Sequence, residues 1–206
     1  DVGFGKTEVA LRAAFKACLD GKQVMVVAPT TLLASQHYRT ALSRFKNYPV
    51  SIGTLSRFTT GKREKEMLNR LEDGSLDVII GTHKLLGKRI KLKNLGLAVI
   101  DEEQKFGVNH KKSIRSMKNA VDVLTLSATP IPRTLQLSLA DVRDISVINT
   151  PPEGRQPVEV YIQQFNTATI KEAVEKEIAR DGTVFFIHNR IEDIFEKANL
   201  LQKLMP

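Results

Sequence analysis

Cys18 is the sole cysteine of the sequence. No disulfide can therefore form within the chain, and the position of Cys18 inside a helical apolar pattern marks it as a small core residue, suited to a reducing compartment such as the cytoplasm. Long apolar runs are missing as well. No stretch approaches the roughly 18 residues that a transmembrane helix needs, and no charged-then-apolar leader is visible, so neither a membrane span nor a secretory signal is expected. The four histidines, His37, His83, His110 and His188, show no metal-ligand spacing among themselves or with Cys18. Internal repeats and low-complexity tracts are absent too. Aromatic residues amount to 6% of the chain, and few interleave the basic runs Lys62–Lys65, Lys88–Lys93 and Lys111–Arg115. Stacking on unpaired bases is thus poorly supported. Those runs either track a nucleic-acid backbone or form solvated faces.

What is present is a chain of 206 residues, 42% hydrophobic, able to bury a sizeable core. Lys and Arg outnumber Asp and Glu by 31 to 23, a formal charge of +8 that suits a polyanionic partner. Short β-rich runs at Val24–Ala28, Val50–Leu55, Val78–Gly81, Leu97–Ile100 and Val123–Leu126 alternate with helical patterns at Lys6–Leu19, Leu32–Phe45 and Thr60–Leu71. The alternation predicts an α/β fold, a parallel sheet with helices on both faces. In the second helix Leu33, His37, Ala41 and Phe45 recur four apart, as an apolar stripe does. Residues 149–157 hold three prolines and a glycine, which precludes regular structure and marks a linker after a first domain of residues 1–148. Residues 158–206 then read as the start of another α/β unit, with strands at Val158–Phe165 and Thr183–His188 and helices at Thr167–Arg180 and Ile191–Leu204.

Two motifs carry chemistry. Asp1-Val2-Gly3-Phe4-Gly5-Lys6-Thr7 is the latter part of a phosphate-binding loop, in which loop amides (Gly3, Gly5) and the helix N-terminus face phosphates. There Lys6 reaches the terminal phosphates and Thr7 holds magnesium, with Glu8 opening the helix that follows. The first glycine of the pattern would precede Asp1, so the sequence is expected to begin inside the loop, without the strand that feeds it. The second motif is the apolar run ending in Asp101-Glu102-Glu103-Gln104. Asp101 is expected to hold magnesium and Glu102 to orient or deprotonate an attacking water. Together they predict an ATP site with Mg²⁺.

Further segments sit where parallel strands end, the ligand-binding edge of such sheets: Ala28-Pro29-Thr30-Thr31, Gly81-Thr82-His83-Lys84 and Ser127-Ala128-Thr129-Pro130-Ile131-Pro132-Arg133. In this order the motifs resemble motifs I, Ia, Ib, II and III of the superfamily 2 helicases. Within that superfamily, the acidic box followed by Lys105-Phe106-Gly107-Val108, and the Ala-Thr-Pro-Ile-Pro-Arg-Thr segment, look like the branch that contains RecG and the transcription-repair coupling factors. Phe4, Thr30-Thr31-Leu32-Leu33, Lys84 and Glu103 are more similar to the coupling-factor side. Gln104 and Lys105 depart mildly, standing where His and Arg are common in the family.

The resemblance implies a RecA-like P-loop NTPase lobe at residues 1–148 and the opening of a second such lobe at 158–206. It implies an ATP hydrolase that translocates on double-stranded DNA. Its parent would engage RNA polymerase and excision-repair proteins through segments not seen here, in the cytoplasm and away from membranes. RecG-type fork remodelling and a non-catalytic nucleotide or nucleic-acid binding module are the alternatives. It also implies that the chain by itself hydrolyses ATP negligibly, since superfamily 2 motors place arginine fingers on the second lobe, in motifs not found here. Pro29, Thr30, Thr31, Thr82, His83 and Lys84 are implied DNA-backbone contacts, with His83 alternatively a packed loop residue. Gln104 contacts the γ-phosphate or couples to motif III, or else caps a helix. Ser127 and Thr129 form a hydroxyl relay from nucleotide to DNA, or an ST-turn that ends the strand.

Overall fold

The computed structural model describes residues 3–87, 89–117, 120–128, 144–154 and 158–205. Lys88, Thr129, Pro130, Ile131, Pro132, Arg133, Arg155, Gln156 and Pro157, and the side chain of Arg115, lie outside what is described. The chain divides into two compact units, Asp1–Arg155 and Gln156–Pro206.

The first unit begins with helix α1, Lys6–Leu19, rich in Ala, Leu, Lys and Arg and braced by an i,i+4 pair between Glu8 and Arg12 at 3.1 Å. Strand β1, Gln23–Val27, is buried along its whole length, as a central parallel strand must be. There follow α2 (Thr31–Phe45), β2 (Ile52–Leu55), α3 (Gly61–Asp73), β3 (Val78–Gly81), a 3₁₀ turn at His83–Leu86, β4 (Leu95–Asp101), a second 3₁₀ turn at Glu103–Lys105, α4 (Val108–Met117) and β5 (Asp122–Leu126). All strand pairings are parallel, in the spatial order β2-β3-β1-β4-β5. The expected parallel α/β sheet is therefore present. Helix α4 was not foreseen, because its sequence reads as a basic run and, among its described side chains, only Ile114 is buried.

Strand order decides which helix covers which face. Leaving β1, the chain steps over β3's place to β2 and then returns through β3 to β4 and β5, so right-handed crossovers put the connections on opposite faces before and after β2. The core splits accordingly. Val24 and Val26 of β1 pack with α1 (Ala10, Leu11, Ala14) and α2 (Ala41, Phe45), whereas Met25 and Val27 pack with α3 (Met67, Leu71), the 3₁₀ residue Leu85 and α4 (Ile114). Alternation of side chains along the strand makes the division. Gly81 ends β3 where the chain passes Leu55 so closely that a Cβ would lie 2.1 Å from its carbonyl oxygen. Only glycine lets β3 close against β2 there and release the next turn toward the sheet edge.

Cys18 packs against the α1–α2 side of the core, and burial pushes its thiol up to about 11. A thiolate fraction about 100-fold below that of an ordinary cysteine follows. Native protein should thus react slowly with a thiol reagent at pH 8, and denatured protein at the rate of a free cysteine. Equal rates would show that the helix face is open.

The second unit holds α5, Thr167–Ile178, capped by Asn166 through the Ala168 amide at 2.9 Å, and α6, Ile194–Leu204. Neither expected strand forms among its described residues: 158–165 and 183–188 carry no ladder. A strand persists only with a hydrogen-bonded neighbour, and none is supplied. No described residue from 158 to 205 is buried, and Ile162, Phe185 and Ile187 are 96%, 85% and 90% exposed. Residues 149–154 are irregular as expected, with Gly154 at φ 77°.

Candidate functional site

The C-terminal ends of the strands β1, β3, β4 and β5 deliver Ala28, Thr82, Glu102 and Ser127 to one edge of the sheet. The phosphate-loop residues Gly3 and Gly5 both adopt left-handed backbone, at φ 83° and 85°. At Gly5 a Cβ would meet nothing within 4 Å, so conformation rather than space requires glycine there. Gly5 then starts α1, its carbonyl accepting from the amides of Glu8 and Val9. Lys6 and Thr7 are thereby the first two residues of the helix, where amides and dipole favour an anion.

Thr7 and Asp101 line the same small cavity above β1 and β4. A hydroxyl and a carboxylate are hard oxygen donors, and Mg²⁺ is commonly held by one or two such side chains with phosphates and water completing the shell. The donor set fits that ion. Glu8, by contrast, turns to cations: its carboxylate pairs with Arg12 and with Arg44 of α2, and the Arg12 hydrogen bond, ahead of Arg44, holds it below the usual carboxylate range. Glu8 thus ties α1 to α2.

Glu102 is one of two described non-glycine residues with positive φ, at φ 51° and ψ 52°. Such strain persists only where surroundings hold it. Here the Glu102 amide donates to Leu126 O at 2.9 Å, the Ala128 amide donates to Glu102 Oε1 at 3.2 Å, Gln104 Nε2 donates to Oε2, and the Lys105 ammonium lies 3.7 Å away. The carboxylate is held by the segment that ends β5 as well as by its own turn. Gln104 thus hydrogen-bonds to Glu102 from within the same turn. Ser127 is exposed at the strand end, and Glu103 is half-buried.

Beside this site lies a groove of about 990 Å³ whose lining includes all six expected backbone contacts, Pro29, Thr30, Thr31, Thr82, His83 and Lys84, together with Arg57, Arg89 and His110. They are not equivalent. Thr30 caps α2, its Oγ1 accepting from the Leu33 amide at 3.2 Å, which leaves its hydroxyl proton for another acceptor. Thr82 is only 4% exposed and forms the floor. His83 is exposed and its ring sits 5.1 Å from that of His110. Lys84 is engaged internally, with Glu64 Oε2 at 2.7 Å and Thr59 O at 3.1 Å, so it straps the 3₁₀ turn to α3. The exposed cations are Arg57 and Arg89.

Sequence reasoning missed Arg57, which stands alone between β2 and α3, and took His37 for part of an apolar stripe. His37 Nε2 lies 2.8 Å from Asp101 Oδ2, both side chains 12% exposed. The signal was available: a histidine on a core-facing helical stripe needs a polar partner.

Comparison with known proteins agrees with this arrangement. The family model described as DEAD/DEAH box helicase matches residues 1–138. The chain is 57% identical over all 206 residues to the transcription-repair-coupling factors of Staphylococcus epidermidis and Bacillus subtilis, and spans 18% of the length of each. Its fold superposes on that of RecG, solved bound to a three-way DNA junction, with a TM-score of 0.81 and 34% identity, over 99% of this chain and 27% of that one. With the phosphate loop, the acidic box and the strand-end segments in one RecA-like sheet edge, the chain belongs to the DEAD/DEAH box helicase family.

Proposed function

We propose that this chain is the ATP-binding part of a cytoplasmic motor that hydrolyses ATP to translocate along double-stranded DNA, within a longer protein that displaces stalled RNA polymerase and recruits excision-repair proteins. The observation that carries the reading is the groove, which gathers Thr30, Thr31, His83, Arg57 and Arg89 beside the phosphate site on one sheet edge. Hydroxyls, a helix N-terminus and arginines suit phosphodiester oxygens, and among the described residues no Phe, Tyr or Trp lines the groove. Residues 1–148 serve as the first lobe, 149–157 as linker and 158–206 as the opening of a second lobe. The exposed Ile162, Phe185 and Ile187 support completion of that lobe by further chain.

In this reading Gly3, Gly5 and Lys6 cradle the terminal phosphates, and Thr7 and Asp101 hold Mg²⁺, which neutralises phosphate charge. Glu102 takes the proton of the attacking water, kept in place by Gln104 and the Ala128 amide. Ser127 directly precedes that amide in the chain, which supports a link between hydrolysis and the strand-end segment, with Thr129 assigned the same role by the resemblance alone. A RecG-type fork remodeller is the second reading, favoured by the likeness to a junction-bound structure; the higher identity to coupling factors weighs against it.

In a protein of the relatives' full length, ATP-dependent displacement of a triplex strand from linear duplex is expected, and activity confined to forks would select the second reading. Duplex affinity should be indifferent to sequence and fall with salt at a slope of about 0.9 per phosphate contact. Arg57→Ala and Arg89→Ala should each lower that slope by about one. Lys84→Ala should leave it unchanged, because that ammonium already serves Glu64 and Thr59. Unchanged slopes in both arginine variants would remove the groove from the reading.

A further inference from the structure

His37 lies on α2, in reach of both halves of the candidate site. Its imidazole passes from the helix toward the end of β4, and Nε2 meets Asp101 Oδ2 at 2.8 Å with both side chains nearly covered. A carboxylate accepts only, so Nε2 carries the proton and donates. His37 also lines the small cavity that Thr7 and Asp101 share. Seven residues earlier stands Thr30, which caps α2 and lines the groove. At 1.5 Å per residue the two ends of this connection are only about 10 Å apart along one rigid helix.

We propose that His37 is a positioning residue for the magnesium-binding carboxylate, and that through it the metal site is anchored to the helix that lines the groove. The inference rests on the reading of Thr7 and Asp101 as the metal's protein ligands. One oxygen of Asp101 is taken up by His37, which fixes the rotation of the carboxylate and leaves the other oxygen for the ion. Without the imidazole, the carboxylate rotates about its terminal torsion and presents the ion with a mixture of geometries. A hydrogen-bonding partner behind a metal ligand acts in this way, and its loss typically lowers metal affinity about 10- to 100-fold. The purpose differs from packing: Leu33, Ala41 and Phe45 share the helix stripe, yet only the imidazole offers Asp101 a donor at this level of α2.

The test measures Mn²⁺ binding by electron paramagnetic resonance, in the full-length protein with a non-hydrolysable ATP analogue. His37→Leu retains apolar bulk and helix propensity but no donor, and His37→Gln places an amide nitrogen near the position of Nε2. The leucine variant should lose about 10- to 100-fold in Mn²⁺ affinity, with analogue affinity in the absence of metal unchanged, and the glutamine variant should regain most of it. Should the leucine variant fail to fold, His37→Asn, whose shorter amide falls short of Oδ2, carries the same expected loss. Wild-type Mn²⁺ affinity in the leucine variant, or in the asparagine variant that replaces it, overturns the inference, as does a loss that glutamine fails to restore. Asp101→Asn serves as the control: if it too binds Mn²⁺ normally, the reading of the metal site itself fails, independently of His37.

Discussion

In a protein of the relatives' full length, Glu102→Gln is expected to leave binding of nucleotide near wild type and to lower hydrolysis by about 10²- to 10⁴-fold, the contribution of the general base proposed for it. The side chain keeps its size, one oxygen can still accept from the Ala128 amide, and the Gln104 amide can turn its oxygen toward the new amino group. What disappears is the basic oxygen and its charge opposite Lys105. The left-handed backbone at φ 51° is untouched, so the thermal midpoint should barely move. Single-turnover hydrolysis alongside equilibrium titration with a fluorescent ATP analogue separates the two effects. Hydrolysis at the wild-type rate would assign the proton to another group, and a parallel loss of binding would make Glu102 a structural element of the loop.

Lys6→Ala attacks the other half of the site. Lys6 is the first residue of α1 after the left-handed Gly5, at a helix terminus where an anion is favoured. Each charge-assisted hydrogen bond is worth about 1.5–3 kcal/mol, so losing two of them weakens ATP binding by about two to four decades. Alanine is an excellent helix former, and α1 keeps its buried Ala10, Leu11 and Ala14. In a protein of the relatives' full length the fold should survive while nucleotide affinity, and with it the proposed DNA-dependent turnover, collapses. Titration of the analogue in the presence of Mg²⁺ decides the matter, and an affinity within a factor of about two of wild type is incompatible with the phosphate loop as read.

Some positions were legible without the structure because a local rule decides them. The span of α1 follows from its helix formers and the glycine before it, and the buried strands Gln23–Val27 and Val78–Gly81 follow from apolar runs bounded by turn residues. Asp101 and Glu102 stand at the end of such a run, where a parallel sheet presents its ligands. The second unit resisted the same rules. The runs at 158–165 and 183–188 have strand composition, but a strand also needs a neighbour, and composition cannot provide one.

By itself the sequence determined the α/β alternation, the phosphate loop, the acidic box and the edge of the sheet on which they stand, because each depends on residues close together in the chain. Tertiary structure decided which side chains are available and which are already committed. Lys84 reads from the sequence as a phosphate contact, and the fold sets its ammonium 2.7 Å from Glu64, twenty residues away on α3. Glu8 was claimed by Arg44, thirty-six residues on, and His37 left the apolar stripe for Asp101, sixty-four residues on. Charges and polar hydrogens act over a few ångströms, and those distances exist only after the crossovers of the sheet have brought α2, α3 and the strand ends to the same edge.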